Sequence, residues 1–294
     1  MLPTPVSAQI TRGGRLKMTA PATGTRSKEQ ILEHYQVEKE LAQKLRRATR
    51  EQRRGLYTEV YDELLKRVRH HPLLHARRTP EDIARAVDDQ LARLAPYINA
   101  NTVFLEVGAG GCQLSLALTS RVKRVIAIDV SNEITAHVQP PPNFELVISN
   151  GTSIPVAPGS VDVAFSNQLM EHLHPDDAAE QLREIYTALA PGGTYLCFTP
   201  NSMSGPHDVS RGFDPVATGF HLHEYTVTEL ARMFRHVGFR NTRAILPRGN
   251  LRVPVATVMA LESAVGVLPV SLSRRVAYLR PMRECLGIRI VARK

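Results

Sequence analysis

Residues 102–111 read TVFLEVGAGG, an apolar run that leads directly into a glycine-rich turn. The pattern predicts a strand over Thr102–Val107, and Gly108 and Gly110 allow the backbone to turn tightly and approach a ligand. A dinucleotide fingerprint requires another glycine five residues after Gly108, where this chain has Gln113. No Gly-Lys-Ser/Thr follows either, so the stretch predicts a ligand site that is neither a dinucleotide motif nor a P-loop.

Short apolar strands alternate with helices from this point onward. Further strands are expected at Arg124–Asp129, Glu145–Ser149, Val161–Ser166, Thr194–Thr199, Thr242–Leu246 and Gly287–Ala292. The clearest helix, Asp176–Leu189, is followed by the helix-stop signal Pro191-Gly192-Gly193. Strands that are apolar throughout are typical of a parallel sheet covered by helices on both faces. The sequence therefore predicts an α/β fold of the Rossmann-like, doubly wound type.

The composition excludes several classes of protein. Hydrophobic residues are 43% and charged residues 22% of the 294 residues, which excludes collagen, coiled-coil rods and wholly disordered chains. Three cysteines without a CxxC pair exclude a disulfide framework and a zinc-thiolate site. Residues 1–27 lack a signal-peptide core, and the apolar stretch Val253–Leu272 is interrupted by Glu262 and two prolines. We therefore expect a cytoplasmic protein without a transmembrane segment.

The pattern along the chain predicts three regions. Residues 1–27 are rich in Pro, Gly, Thr and Ser, and we expect a disordered tail there. Residues 28–100 show helical spacing and should form an N-terminal helical cap. The domain proper spans 101–294, with a helical insert at 247–286 that has helix-like patterns around Val255–Val267 and Leu272–Arg283. We expect the cap to close over the ligand and the insert to form a wall of an acceptor pocket; a packing pair, a dimer surface or a membrane-surface helix are the alternatives for the insert.

Charge is distributed unevenly along the chain. The net charge is +9 overall, with basic ends and an acidic middle over residues 81–242. Basic ends are compatible with binding to a nucleic-acid backbone, but also with solvated tails, and no basic motif interleaved with aromatic residues accompanies them.

Asp129 ends the second strand, 21 residues after Gly108. An acidic residue at this position typically binds ribose hydroxyls, and the alternative is that Asp129 lies at the start of a helix.

Residues 103–239 resemble the class I S-adenosylmethionine-dependent methyltransferases, in particular the group called methyltransferase domain type 11. Six blocks match in order: LEVGAG, AIDVS, Asn150–Pro155, VDVAFSNQLMEHL, LAPGGTYLCFTPN and LARMFRHVGF. The resemblance implies a seven-stranded sheet with an antiparallel last strand and S-adenosylmethionine as cofactor. Two positions depart from the family: Cys112 stands where a third glycine is frequent, and Asn150 where an adenine-binding Asp is usual.

The resemblance also implies the cofactor-binding residues. Gly108, Gly110 and Glu106 should meet the methionine part, and Asp129 the ribose. Val130 should flank the adenine, and Asn150 with the Gly151 amide should read its edge. Asn167 and Gln168 should border the amino-acid end.

Candidate catalytic residues follow two central strands. Glu171 and His172 come after the fourth strand, and His221 and His223 lie in a loop after the fifth. A histidine there is available as a base near neutral pH. The alternative is that these residues form ordinary polar turns.

Some related O-methyltransferases carry Glu-x-x-Glu-His after the fourth strand and bind Mg²⁺ there. This chain has Gln168 in place of the first carboxylate, and an amide is a weaker ligand for a hard cation, so no metal is expected.

The leading function is methylation of a small-molecule acceptor, most readily at oxygen. The alternatives are an RNA ribose 2′-O-methyltransferase, metal-assisted or not, and a non-catalytic cofactor-binding scaffold. The segment Ser166–Leu169 lacks the motif of enzymes that methylate a base nitrogen.

Overall fold

A mixed eight-stranded sheet forms the centre of the protein in the computed structural model. The structure describes residues 9–10, 16–17, 26–75, 79–130, 140–247 and 250–294. The sheet strands in chain order are β3 (Val103–Val107), β4 (Arg124–Asp129), β5 (Phe144–Ile148), β6 (Val161–Asn167), β7 (Leu189–Thr199), β8 (Arg240–Ile245), β9 (Arg252–Pro254) and β10 (Ile288–Arg293). Their order across the sheet is β5-β4-β3-β6-β7-β10-β8-β9.

Five neighbouring strands, β5, β4, β3, β6 and β7, run parallel to one another. Strand β10 lies between β7 and β8 and is antiparallel to both. The expected α/β fold class and the antiparallel last strand are confirmed. The sheet has one strand more than the expected seven, because the three-residue β9 pairs antiparallel with β8 and forms the edge of the sheet. A strand of this length ending in Pro254 gives no periodic signal in the sequence.

The helices are α1 (Lys28–Arg47), α2 (Arg50–Arg67), α3 (Pro72–His75), α4 (Pro80–Leu94), α5 (Gln113–Leu118), α6 (Pro175–Ala188), α7 (Val227–Val237), α8 (Val255–Gly266), α9 (Val270–Tyr278) and α10 (Arg280–Leu286). Sequence signals fix several of the starts: Thr79 caps α4, and Thr226 forms a capping box with Glu229 on α7. The helix expected over 272–283 is divided at Leu279, which has an extended backbone. Pro281 explains the break, since a proline cannot continue an α-helix from the preceding turn.

Most of the tail expected over residues 1–27 lies outside the described residues. Within it, β1 (Gln9–Ile10) and β2 (Leu16–Lys17) pair antiparallel. Ser27 is the N-cap of α1, whose first helical residue is Lys28, and its side chain accepts from the Gln30 amide.

The core lies on both faces of the sheet, as alternation along the strands requires. Leu105 and Ile126 belong to the face covered by α1, α2, α6 and α7, and Phe104 and Val125 to the face covered by α4 and α5. Helix α6 ends at Ala188, before Pro191-Gly192-Gly193 as expected, and these three residues belong to β7, which starts directly after α6. The carboxyl ends of the parallel strands therefore meet at one edge, which is where ligands bind in such sheets.

A buried ion pair fixes the cap to the domain. Arg53 on α2 donates from Nε and Nη2 to the two Asp177 oxygens on α6, at 2.6 and 2.7 Å. The Tyr57 hydroxyl donates to Asp177 Oδ2 at 2.6 Å. Burial would raise the pKa of Asp177, but its bonds to Arg53 and Tyr57 lower it, so the carboxylate stays charged.

Candidate active site

The turn after β3 has backbone angles that favour glycine. Gly108 and Gly110 have φ of 74° and 50°, in the left-handed region. A Cβ on Gly108 would lie 2.9 Å from Leu169 Cδ1, so the close approach also excludes a side chain. Cys112 has φ of 55° and is fully buried at the position where the family frequently has a third glycine.

Asp129 fastens this turn to the end of β4. Its Oδ2 accepts from the Gly110 amide at 2.7 Å, and its Oδ1 accepts from the Val130 amide at 2.8 Å. The Val130 carbonyl in turn accepts from Thr58 Oγ1 on α2 at 3.1 Å. The carboxylate therefore sets the shape of the glycine turn and stays half-buried at the edge of the sheet.

A cavity of about 270 Å³ opens beside the glycine turn. Its lining includes Glu106, Gly108, Gly110 and Asn167 among the expected cofactor residues. Helix α4 supplies the opposite wall through Ile83, Ala86, Val87 and Gln90. Helix α4 belongs to the cap that was expected to close over the ligand, but no residue of α4 was singled out from the sequence.

Glu106 lies at the base of this cavity and is buried. Its Oε2 accepts from the Ser115 hydroxyl at 2.5 Å. Burial raises the pKa of Glu106 to about 7, although the bond from Ser115 opposes the shift.

Hydrogen bonds within the Asn150–Gly151 turn hold the Asn150 side chain. Asn150 Oδ1 already accepts from the amides of Thr152 and Ser153 at 3.1 and 2.9 Å. An adenine amino group would have to compete with these bonds for the same oxygen. Gly151 has φ of 91°, and its carbonyl accepts from Gln181 Nε2 at 2.6 Å.

Gln168 is placed by its backbone. Its φ is 55°, its amide donates to the Phe198 carbonyl at 2.8 Å, and its side chain is exposed. Asn167, one residue earlier, lines the cavity instead.

The adjacent residues Glu171 and His172 lie close to His221, which comes from a later loop of the chain. Their nearest ligand atoms all lie within 4.8 Å of one another. Glu171 Oε2 accepts from Thr199 Oγ1 at 2.7 Å, and its Oε1 has no hydrogen-bond partner among the residues that the structure describes. Burial raises the pKa of Glu171.

The two histidines of this cluster differ in their charge. Burial, together with His221, lowers the pKa of His172 to about 4, so His172 is a neutral group held between Tyr61 Oη and the Phe220 carbonyl. Burial also acts to lower the pKa of His221, but Glu224, 2.7 Å away, and Glu171 raise it above its usual value. His221 is therefore the better base of the two near neutral pH.

His223 does not join this cluster through its side chain. Its Nε2 lies 2.7 Å from Glu229 Oε1, and its ring meets the edge of Tyr225. Glu224, which orients His221, was not among the expected catalytic residues. The only feature of the sequence that could have indicated this pairing is that Glu224 follows His221 by three residues.

Comparisons with known proteins agree with the expected family. Residues 105–197 match a family model described as "Methyltransferase domain". A probable S-adenosylmethionine-dependent methyltransferase of Mycolicibacterium smegmatis is 32% identical over 136 residues, covering 46% of this chain and 51% of that protein. The malonyl-[acyl-carrier protein] O-methyltransferase of Xylella fastidiosa is 29% identical over 140 residues, 45% of each chain. The chain thus spans about half the length of the curated relatives it matches.

Solved structures support the fold. A methyltransferase solved with the Haloferax volcanii Trm112 methyltransferase activator aligns over 84% of this chain and 99% of that chain, with a TM-score of 0.51 and 16% identity. Across the described part of the chain, none of the helices is both long enough and apolar enough to cross a bilayer.

Proposed function

We propose that the chain, whose residues 105–197 match a methyltransferase domain model, uses S-adenosylmethionine to methylate an oxygen atom of a small-molecule acceptor. The cofactor supplies an electrophilic methyl group on a sulfonium, with a neutral leaving group. The protein's main task is then to align the acceptor and to exclude water, since positioning is the larger part of such a displacement.

The residues of the cavity fit this cofactor. The Glu106 carboxylate at the base of the cavity is suited to an ammonium group, and binding a cation there would favour its charged form. Asp129 lies at the end of β4, where a carboxylate can accept from ribose hydroxyls. Asn167 also lines the cavity. Gly151, Val130 and Gln168 are assigned to the cofactor through the family resemblance. Asn150 contributes chiefly by shaping its turn.

The observation that carries oxygen methylation is the polar cluster at the carboxyl ends of β6 and β7. An acceptor hydroxyl must lose its proton, which requires a base within hydrogen-bond reach. His221, oriented by Glu224, is that base in our proposal, and Glu171 Oε1 is an unused acceptor for the same hydroxyl. Neutral His172 positions the loop through Phe220, and His223 supports it from the Glu229 side. The Xylella relative named as an O-methyltransferase supports transfer to oxygen.

The test is methyl transfer from radiolabelled S-adenosylmethionine to separate pools of hydroxylated or carboxylated small molecules and of RNA. We expect label in the small-molecule pool, and a His221→Asn variant that loses most of kcat while keeping its cofactor affinity by calorimetry. His236→Asn, an exposed histidine on α7, is the matched control and should behave as wild type. Label in RNA would support the ribose-methylating alternative, and absence of label from both pools would support the non-catalytic alternative.

Metal-assisted oxygen methylation is a second candidate, favoured by the convergence of Glu171, His172 and His221. In that case activity should disappear after chelation and return with a divalent transition-metal ion. Unchanged activity after chelation supports the His221–Glu224 base instead.

A further inference from the structure

A second cluster of metal-ligating side chains lies in the helical cap and shares no residue with the candidate active site. His34 and Glu38 stand one turn apart on α1, and His71 comes from the turn between α2 and α3. All three are buried, with 5%, 6% and 8% of their surface exposed. Their nearest ligand atoms all lie within 4.8 Å of one another.

We propose that His34, Glu38 and His71 form a binding site for a divalent transition-metal ion, for which Zn²⁺ is the best match. Imidazole nitrogen suits zinc and its first-row neighbours, whereas Mg²⁺ and Ca²⁺ prefer oxygen ligands alone. Two histidines and one carboxylate are also a known zinc donor set, with the fourth position left to water.

The distances require little rearrangement for such an ion. His34 Nε2 and Glu38 Oε2 are 2.8 Å apart. Two ligands bound at about 2.0–2.1 Å lie roughly 2.9–3.4 Å from each other, depending on the coordination angle. The rings of His34 and His71 meet edge to face with centroids 4.5 Å apart.

Arg26 competes with a metal ion for His34. Its Nη1 lies 2.7 Å from His34 Nδ1, so Arg26, His34 and Glu38 already form a hydrogen-bonded chain. A guanidinium can only donate, and a histidine that binds metal through Nε2 carries its proton on Nδ1. Metal binding therefore requires Arg26 to release His34, and removing the arginine side chain should strengthen metal binding.

The position of the cluster gives the ion a structural role. Glu38 Oε1 accepts from the Phe220 amide at 2.8 Å, and the Phe220 carbonyl lies 3.2 Å from His172 Nδ1. An ion bound to Glu38 would hold α1 against the loop that carries His221. This inference does not depend on the transfer reaction, since it concerns metal occupancy.

The experiment measures zinc bound to the full-length protein. The protein is stripped with a chelator and dialysed, and ZnCl₂ is titrated by calorimetry, with bound zinc counted by plasma mass spectrometry. The ligand variants are His71→Ala and Glu38→Gln. The controls are His236→Ala on the surface and Glu171→Gln in the other cluster.

We expect about one tightly bound zinc per chain in the wild type and in both controls, and at least roughly tenfold weaker binding in the ligand variants. Equal zinc affinity in His71→Ala and His236→Ala overturns the proposal. So does loss of the tight zinc in Glu171→Gln with retention in His71→Ala.

Arg26→Ala tests the same site with all three ligands in place, and it decides the matter if a ligand variant does not fold by circular dichroism. We expect its zinc affinity to rise by roughly threefold or more, which is about 0.7 kcal/mol. An affinity equal to or below that of the wild type overturns the proposal.

Discussion

Replacing Glu106 with glutamine is expected to stabilise the ligand-free protein above neutral pH while weakening its affinity for cofactor. Burial raises the pKa of Glu106 from its usual 4.5 to about 7. Glutamine has nearly the same shape and keeps an oxygen for the Ser115 hydroxyl, 2.5 Å away. The variant therefore removes the ionisation and leaves the packing of the cavity base in place.

The sign and size of the effect follow from the two pKa values. An acid whose pKa is higher in the folded protein loses stability as the pH rises from the unfolded value to the folded one. Between pH 4.5 and 7 the wild type should lose about 3 kcal/mol relative to Glu106→Gln, at 1.36 kcal/mol per pKa unit. Near pH 4.5 the free energies of unfolding should be similar, and above pH 7 the variant should be more stable by that amount.

Urea unfolding followed by circular dichroism at pH 5, 6, 7 and 8 measures this difference directly. Glu184→Gln, an exposed glutamate on α6, is the control and should follow the wild type at each pH. Calorimetry with S-adenosylhomocysteine should show weaker binding for Glu106→Gln, because the variant lacks the carboxylate. Parallel stability profiles for wild type and Glu106→Gln would refute the assignment of a buried, proton-binding carboxyl at this position.

Three further substitutions test the rest of the site and its supports. Asp129→Ala should lower cofactor affinity by roughly tenfold or more, about 1.4 kcal/mol, and unchanged affinity by calorimetry would refute its role at the ribose. Asp177→Ala should lower the free energy of unfolding by about 3–5 kcal/mol because it leaves Arg53 buried without its partner, and a loss below about 1 kcal/mol in urea unfolding would contradict this reasoning. Glu262→Ala should lower it by about 2 kcal/mol or more, since Glu262 accepts from the Val227 and Thr228 amides at the start of α7, and thermal unfolding gives the check.

Local signals were sufficient for the strands and for the glycine turn. Arg124–Asp129 forms a strand with the bounds that the sequence predicted, because a buried parallel strand must be apolar along its whole length. Gly108 and Gly110 both take positive φ, which favours glycine, and the nearby Leu169 leaves no room for a side chain on Gly108. The family's motifs lie in these same segments, so the fold and the cofactor could be inferred together.

The partners of the candidate catalytic residues could not be predicted from local sequence patterns. His221 and His223 are two residues apart and had equal standing in the sequence, yet the irregular loop directs one toward Glu171 and the other toward Glu229. The motif placed Asn150 at the adenine edge but did not reveal that its side-chain oxygen accepts from the Ser153 amide of its own turn.

The sequence by itself therefore determined the elements whose signals lie within one strand or one turn: the doubly wound sheet, the glycine turn and the acidic residue that closes the second strand. Only the tertiary structure decided which distant groups share a site. The Arg53–Asp177 pair joins residues 124 positions apart, and His71 reaches His34 and Glu38 only through the turn between α2 and α3. The physical reason is that pKa values and ligand geometry depend on burial and on neighbours within a few ångströms, and the packing of helices against the sheet supplies both.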